Sequence, residues 1–275
     1  MEEMQGIYRP PKASSGEDNG ILTIIGGSDL FHGAPIMALK AASKVVDMVF
    51  FACPEEYMKD VSAYLKSEIS SFIWIPWSEV DSYIDKSDAV LIGPGFKRYR
   101  DILPDHGLDE DGKKTKQITE DLLTHHKDKK WVIDAGSLQV IDKSCIPSKA
   151  IITPNKHEFE LLFGPGEINP ARVSEMAKLH HCTIVLKDVE TIVATEETGK
   201  IVKGGNAGLT KGGTGDVLAG LTAAIYTKND VLFSACAGSF TVKRAAEQLA
   251  DDVGVYFSAD DLAYQVPHTL AGLVR

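Results

Sequence analysis

Gly208-Leu209-Thr210-Lys211-Gly212-Gly213-Thr214-Gly215-Asp216 runs directly into VLAGLTAAIY. Glycine has no Cβ and accepts φ > 0, so glycines at 212, 213 and 215 let the chain fold its amides around a concave anion site. Val217, Leu218, Leu221, Ala224 and Ile225 follow at helical spacing, so the loop feeds a helix whose first amides and positive dipole end point at that concavity. Asp216 stands at its mouth. A carboxylate would repel an anion, so its chemical use there is as a base on a nucleophile held beside one. The helix dipole predicts a lowered pKa, hence an ionised but weak base. By residue type alone the run also reads as a helix N-cap over a tight turn. It is neither a P-loop, which needs Lys-Ser or Lys-Thr after the second glycine, nor a Rossmann fingerprint, because Leu218 stands where the third glycine belongs.

A second pair with chemical potential is Asn155-x-x-Glu158. At a helix start, positions i and i+3 share a face, so amide oxygen and carboxylate can hold a hydrated Mg²⁺, which needs few protein ligands. The same spacing is that of a capping box, with Glu158 reaching back to the cap. Other turns of the right type are Gly26-Gly27-Ser28-Asp29-Leu30-Phe31-His32-Gly33-Ala34-Pro35, Gly93-Pro94-Gly95-Phe96 and Asp134-Ala135-Gly136. His125-His126 and His180-His181 have no acid or cysteine at ligand spacing, which reads as solvated helix ends rather than a metal site.

Each of these turns follows a short apolar run. Strands are expected at 21–25, 48–52, 72–75, 89–92, 131–133, 150–152 and 183–186, with helices at 34–46, 55–67, 116–126, 157–163 and 171–180 between them. Such alternation implies βαβ units and a largely parallel sheet with helices on both faces. In that architecture ligands sit beyond the carboxyl ends of the strands, where the turns above lie. Runs at 191–194 and 200–202, joined by Glu-Glu-Thr-Gly, read as an antiparallel hairpin; long helices follow at 216–227 and 230–250 and a short one at 259–265. Residues 1–19 are polar and read as a flexible N-terminal arm, and 20–275 as one domain without repeats.

With 275 residues, 44% of them hydrophobic, the chain can bury one large core. Its net charge of −10 argues against nucleic acid or an anionic membrane as partner. A polyphosphate must therefore be held by local amides, a lysine or two, and Mg²⁺. Cys53, Cys145, Cys182 and Cys236 are far apart with no C-x-x-C, the pattern of reduced cytoplasmic thiols, and neither a signal peptide nor a spanning apolar run is expected.

The glycine run with its aspartate resembles the anion-hole motif of the ribokinase-like superfamily, and N-x-x-E is that superfamily's Mg²⁺-linked motif. More narrowly, GGSDLFHGAPIMALKAA, IGPG, the Asp134 turn, TPNKHEFELL, LKDVET and GNAGLTKGGTGDVLAG are similar, in order and spacing, to the nucleotide-dependent NAD(P)H-hydrate dehydratases, here as a stand-alone dehydratase without the epimerase domain. The resemblance implies a ribokinase-like three-layer α/β/α sandwich, mostly parallel, with a C-terminal antiparallel hairpin. It implies that hydrated NADH or NADPH is restored at the expense of ADP or ATP with Mg²⁺, in a homo-oligomer such as a tetramer. Carried over by position, Asp216 is the base, and the amides of Gly213, Thr214 and Gly215 hold the developing charge. Hydrate lies along Ala34, Gly95, Asn155 and Asp216. Nucleotide lies along Lys187, Asp188, Val189, Glu190, Thr191 and Gly215, with Lys211 expected to neutralise phosphate, and Asn155 and Glu158 serve the metal. A small-molecule alcohol kinase of the same superfamily, such as a hydroxyethylthiazole kinase, is the alternative. The chain departs from the family pattern where Asp-Ala-Asp becomes Asp134-Ala135-Gly136 and where Leu-Gly after Gly-Pro-Gly becomes Phe96-Lys97.

Overall fold

The computed structural model describes residue 4 and residues 6–67, 69–99 and 109–273. In chain order the strands are β1 (Ile21–Ile25), β2 (Met48–Ala52), β3 (Ile73–Ile75), β4 (Ala89–Ile92), β5 (Lys130–Ile133), β6 (Ile151–Ile152), β7 (Thr183–Leu186), β8 (Thr191–Ala194) and β9 (Gly199–Val202). They form one sheet in the order β3-β2-β1-β4-β5-β6-β7-β8-β9. Pairs from β3 through β7 are parallel, and β7–β8 and β8–β9 are antiparallel. The helices are α1 (Gly33–Ala42), α2 (Tyr57–Leu65), α3 (Val80–Lys86), α4 (Glu110–His125), α5 (Ala135–Leu138), α6 (Lys156–Phe163), α7 (Pro170–Leu179), α8 (Thr214–Lys228), α9 (Val231–Val253) and α10 (Ala259–Leu273).

The strands carry near-continuous apolar runs because both faces are covered. Alternate residues go to opposite sides: Leu22, Ile24, Leu91, Val132 and Val185 join one core with α1, α8, α9 and α10, while Ile25, Ile92, Ile133, Ile184 and Trp131 join the other with α3, α4, α6 and α7. The result is the expected three-layer α/β/α sandwich. Helices α3 and α5, short and without strong periodicity, were not foreseen. Helix α10 runs 15 residues rather than ending with the short helix expected at 259–265, its Pro267 notwithstanding.

Helix α8 is buried on nearly every side from Val217 to Thr227, as a helix apolar all round must be. It lies close against α1: a Cβ at Gly220 would meet the carbonyl oxygen of Ala38 at 2.3 Å. Residues 1–3 and 5 of the expected arm lie outside the described residues. Within the rest of that segment, Met4 is buried in the core and the Tyr8 amide donates to Asn229 Oδ1 (3.3 Å) at the α8–α9 turn. No helix among the described residues is long and apolar enough to cross a membrane.

Candidate active site

The hydrogen-bond ladder of the sheet continues just past the strand ends and sets the site residues side by side. Gly93 N donates to Ile25 O, Asp134 N to Ile92 O and Thr153 N to Ile133 O, at 3.0, 3.0 and 3.1 Å. Lys187 N donates to Pro154 O at 2.8 Å, and a parallel bridge joins Asn155 to Lys187. Asp134, Asn155 and Lys187, from three separate turns, therefore share one rim. They line a cavity of about 740 Å³ together with Glu158, Asp188, Val189, Thr191, residues 204–207 and residues 209–216.

At its floor, Lys187 Nζ donates to Asp134 Oδ1 at 2.8 Å and stands 3.7 Å from Glu158 Oε2. Asp134 and Glu158 are almost wholly buried. Burial works against the Lys187 ammonium, but the two carboxylates outweigh it and hold its pKa above the ordinary value. Asn155 and Glu158 form the capping box of α6: Asn155 Oδ1 accepts from the Glu158 amide at 2.9 Å, and Glu158 Oε2 accepts from the Asn155 amide at 2.8 Å. The other Glu158 oxygen accepts from Gln139 Nε2 at 3.0 Å. The spacing that left cap and cation open thus folds as the cap. No cluster of three His, Cys, Asp or Glu among the described residues is arranged to hold a metal.

The glycine loop enters α8 through Gly213, whose φ of 93° is left-handed. Thr214 folds back, its hydroxyl donating to Leu209 O (2.7 Å) and Lys211 O (2.8 Å) and its amide to Lys211 O at 3.3 Å. The amides of Gly213 and Gly215 have no such backbone partner among the described residues, and both glycines line the cavity. Asp216, in the first turn, is half-buried. Its pKa is pushed up to about 7, first by burial and then by the charge of Asp134, with Glu158 adding to the rise; Lys187 and its own amide pull the other way. The lowered pKa expected from the helix dipole is overturned, since a half-charge at a helix end is outweighed by desolvation plus two buried carboxylates. Lys211 also differs from expectation. Its amine donates to the carbonyls of Val255 and Phe257, the latter at 2.5 Å, and lies over the Phe257 ring, so it pins the loop to the α9–α10 turn.

Gly213, Thr214, Gly215, Asp216, Asn155, Glu158, Lys187, Asp188, Val189, Thr191 and Lys211 thus come together around the cavity, whereas Ala34, Gly95 and Glu190 lie outside its lining. Ala34 opens α1, and Gly95 sits beside that helix's entry, where a Cβ would meet Phe31 O at 2.2 Å. The two departures from the family pattern touch: a Cβ at Gly136 would meet the Phe96 carbonyl oxygen at 2.3 Å, so the glycine makes room for the Phe96 backbone. Sequence reasoning missed Gln139 and Lys243 and took Asp134 only as a turn. For Lys243 the signal was its place in the apolar stripe of a helix, beside Ser239, Val242 and Ala246.

The sequence pattern of the NAD(P)H-hydrate dehydratases matches residues 22–268. The chain belongs to that family. Among the dehydratase relatives, it is 33% identical over 98% of its length to the bifunctional NAD(P)H-hydrate repair enzyme Nnr of Methanocaldococcus jannaschii, covering 51% of that protein. It is 29% identical to the ADP-dependent (S)-NAD(P)H-hydrate dehydratase of Nitrosopumilus maritimus, over 94% of this chain and 90% of that one. The chain therefore spans about half the length of the bifunctional relatives and most of the single-function one. Its fold is that of the ADP/ATP-dependent NAD(P)H-hydrate dehydratase of Bacillus subtilis co-crystallised with ATP/Mg²⁺, with a TM-score of 0.80 at 20% identity, covering 99% and 96% of the two chains. A ribokinase-like protein of Enterococcus faecalis superposes with a TM-score of 0.83 at 22% identity, covering 99% and 94%.

Proposed function

We propose that this chain restores hydrated NADH or NADPH to the reduced cofactor at the expense of ADP or ATP. The observation that carries the reading is Asp216: a half-buried carboxyl with its pKa pushed up to about 7, set behind the left-handed Gly213 where glycine amides line the cavity. A base works best when its pKa lies near the working pH. Asp216 removes the proton from the hydroxyl at C6 of the hydrated ring, and that oxygen attacks the terminal phosphoryl group of the nucleotide, whose bridging P–O bond breaks to release AMP from ADP or ADP from ATP. The amides of Gly213 and Gly215, with Thr214 bracing the turn, stabilise the charge that develops. The ring nitrogen's lone pair then breaks the C6–O bond of the phosphate ester, expelling inorganic phosphate, and loss of a proton from C5 restores the dihydropyridine. Hydrate lies along Asn155 and Asp216, reaching toward Ala34 and Gly95; nucleotide lies along Lys187 to Thr191.

The donor chemistry around Glu158, hard carboxylate oxygens beside a polyphosphate cavity, fits Mg²⁺. Because each capping bond already engages an oxygen of the pair, Asn155 and Glu158 would hold the ion through its waters. The ion's contribution is to offset phosphate charge in a protein whose own net charge is −10. In this reading the enzyme is one domain, 20–275, working in the cytoplasm as a homo-oligomer.

The test is incubation with NADH hydrate, Mg²⁺ and ADP or ATP, followed at the absorbance band of reduced nicotinamide. Nucleotide-dependent recovery is expected, and Asp216→Asn should slow it by about 10²–10⁴-fold. An Asp216→Asn protein as fast as the parent would reject the mechanism. Nucleotide consumption with a small alcohol and no recovery of NADH would select the alcohol-kinase reading instead.

A further inference from the structure

Lys243 is an unusual lysine. It projects from the middle of α9 with 5% of its surface exposed, and it has no carboxylate partner within ion-pair distance among the described residues. Its amine is saturated by main-chain oxygens: Val189 O at 2.7 Å, Gly204 O at 3.1 Å and Asp188 O at 3.4 Å. Three donors thus meet three carbonyls. Burial lowers its pKa, with Asp188, Glu190 and Glu247 opposing the fall, so the fold holds the amine in place at an electrostatic cost that calls for a purpose.

The carbonyls come from two stretches far apart in sequence. Asp188 and Val189 form the turn between β7 and β8, and Gly204 follows β9; all three line the cavity, as does Lys243. Helix α9 holds the second stretch in two further places. Glu247 Oε1 accepts from the Gly205 amide at 2.9 Å, and Asn206 Nδ2 donates to Ala246 O at 2.7 Å. Gly204 and Gly205 both have φ > 0, and a Cβ at Gly205 would meet Lys243 Cγ at 3.1 Å. The backbone is therefore bent and stripped of side chain where the lysine passes. Glu247 and Ala246 hold only 204–206, whereas Lys243 alone of the three also reaches 188–189.

We infer that Lys243 is a positioning residue for the nucleotide: its amine ties together the two backbone walls between which that ligand lies. The inference rests on the proposed function for the identity of the ligand and on the geometry above for the tie. Removing the amine leaves three inward carbonyls without a donor and lets the β7–β8 turn part from Gly204. Lys243 does not touch the hydroxyl that reacts, so the effect falls on nucleotide capture rather than on the chemical step.

Lys243→Met tests this. The expected result is a nucleotide KM raised by about tenfold or more, the scale of losing hydrogen bonds from a charged donor, with the hydrate KM unchanged and kcat within about threefold of the parent. Hydrogen exchange should quicken at 188–191 and 204–206 and not in the glycine loop. Lys243→Gln, which keeps N–H donors without the charge, should fall between the two and serves where the methionine variant does not fold. A nucleotide KM equal to the parent's, a hydrate KM that rises in step with it, or unchanged exchange at both segments overturns the inference. Calorimetric titration of ADP into parent and variant keeps the two questions apart: a parent that binds ADP without restoring NADH sinks the proposed function, while equal affinity in parent and variant sinks the role of Lys243.

Discussion

As the proposed base, Asp216 would work only while ionised, so its position in a web of charge has a direct kinetic consequence. With its pKa pushed up to about 7, turnover should climb with pH through the neutral range and flatten above it. Asp134 and Glu158 raise that pKa and Lys187 lowers it. Replacing Asp134 with Asn removes a repelling charge and takes the negative charge from the 2.8 Å partner of Lys187, and both changes favour the Asp216 carboxylate. The acid limb of the kcat/KM profile should therefore move to lower pH in Asp134→Asn; a limb that stays or moves up contradicts the charge assignment. The same shift has a stability sign. Because the folded pKa lies above the ordinary 3.8, the folded state binds the extra proton, and this group's contribution to stability declines as pH rises between those two values.

Among elements, the glycine loop behaves as a braced turn and not as a slack strap. Thr214 ties it to itself, and Lys211 ties it to the α9–α10 turn through the carbonyls of Val255 and Phe257. Lys211→Met should then lower kcat several-fold by loosening the amides around the phosphoryl position while leaving the nucleotide KM within about twofold, the pattern of an interaction felt mainly in the transition state. A rise in nucleotide KM with kcat unchanged would restore the phosphate-neutralising role. Lysine inside a glycine run was legible as unusual; its direction was not, because that depends on where α10 begins, more than forty residues on. Asn155-x-x-Glu158 was legible as a pair with two uses, and the tertiary neighbours Gln139 and Lys187 decided how its oxygens are spent.

At the scale of the molecule, Asp216 is held in place by how closely α8 sits between its neighbours. Gly220 lies against the Ala38 backbone of α1, and Gly238 of α9 lies against Thr222, where Cβ atoms would meet heavy atoms at 2.3 Å in each case. The Ala38 contact is with backbone, which cannot give way as a side chain can, whereas the Gly238 contact is with the Thr222 hydroxyl. Gly220→Val should cost about 1–3 kcal/mol or more by overpacking, seen as a lower Tm, with activity falling further than stability because α8 carries Asp216 on its first turn. An unchanged Tm would mean that the two helices part at no cost.

The sequence by itself determined the alternation of short apolar strands with amphipathic helices, the carboxyl-end rim where they deliver their turns, and the glycine run that ends in Asp216. These are local matters of periodicity and backbone freedom, written in consecutive residues. Tertiary structure alone decided the ionisation of Asp216, the further bonds of Glu158 to Gln139 and Lys187, and the carbonyl partners of Lys211 and Lys243. A pKa and a hydrogen-bond partner are set by burial and by charges a few ångströms away, and the groups that supply them here, Asp134, Glu158, Lys187 and the carbonyls of 188–189, 204 and 255–257, lie tens of residues from the side chains they govern.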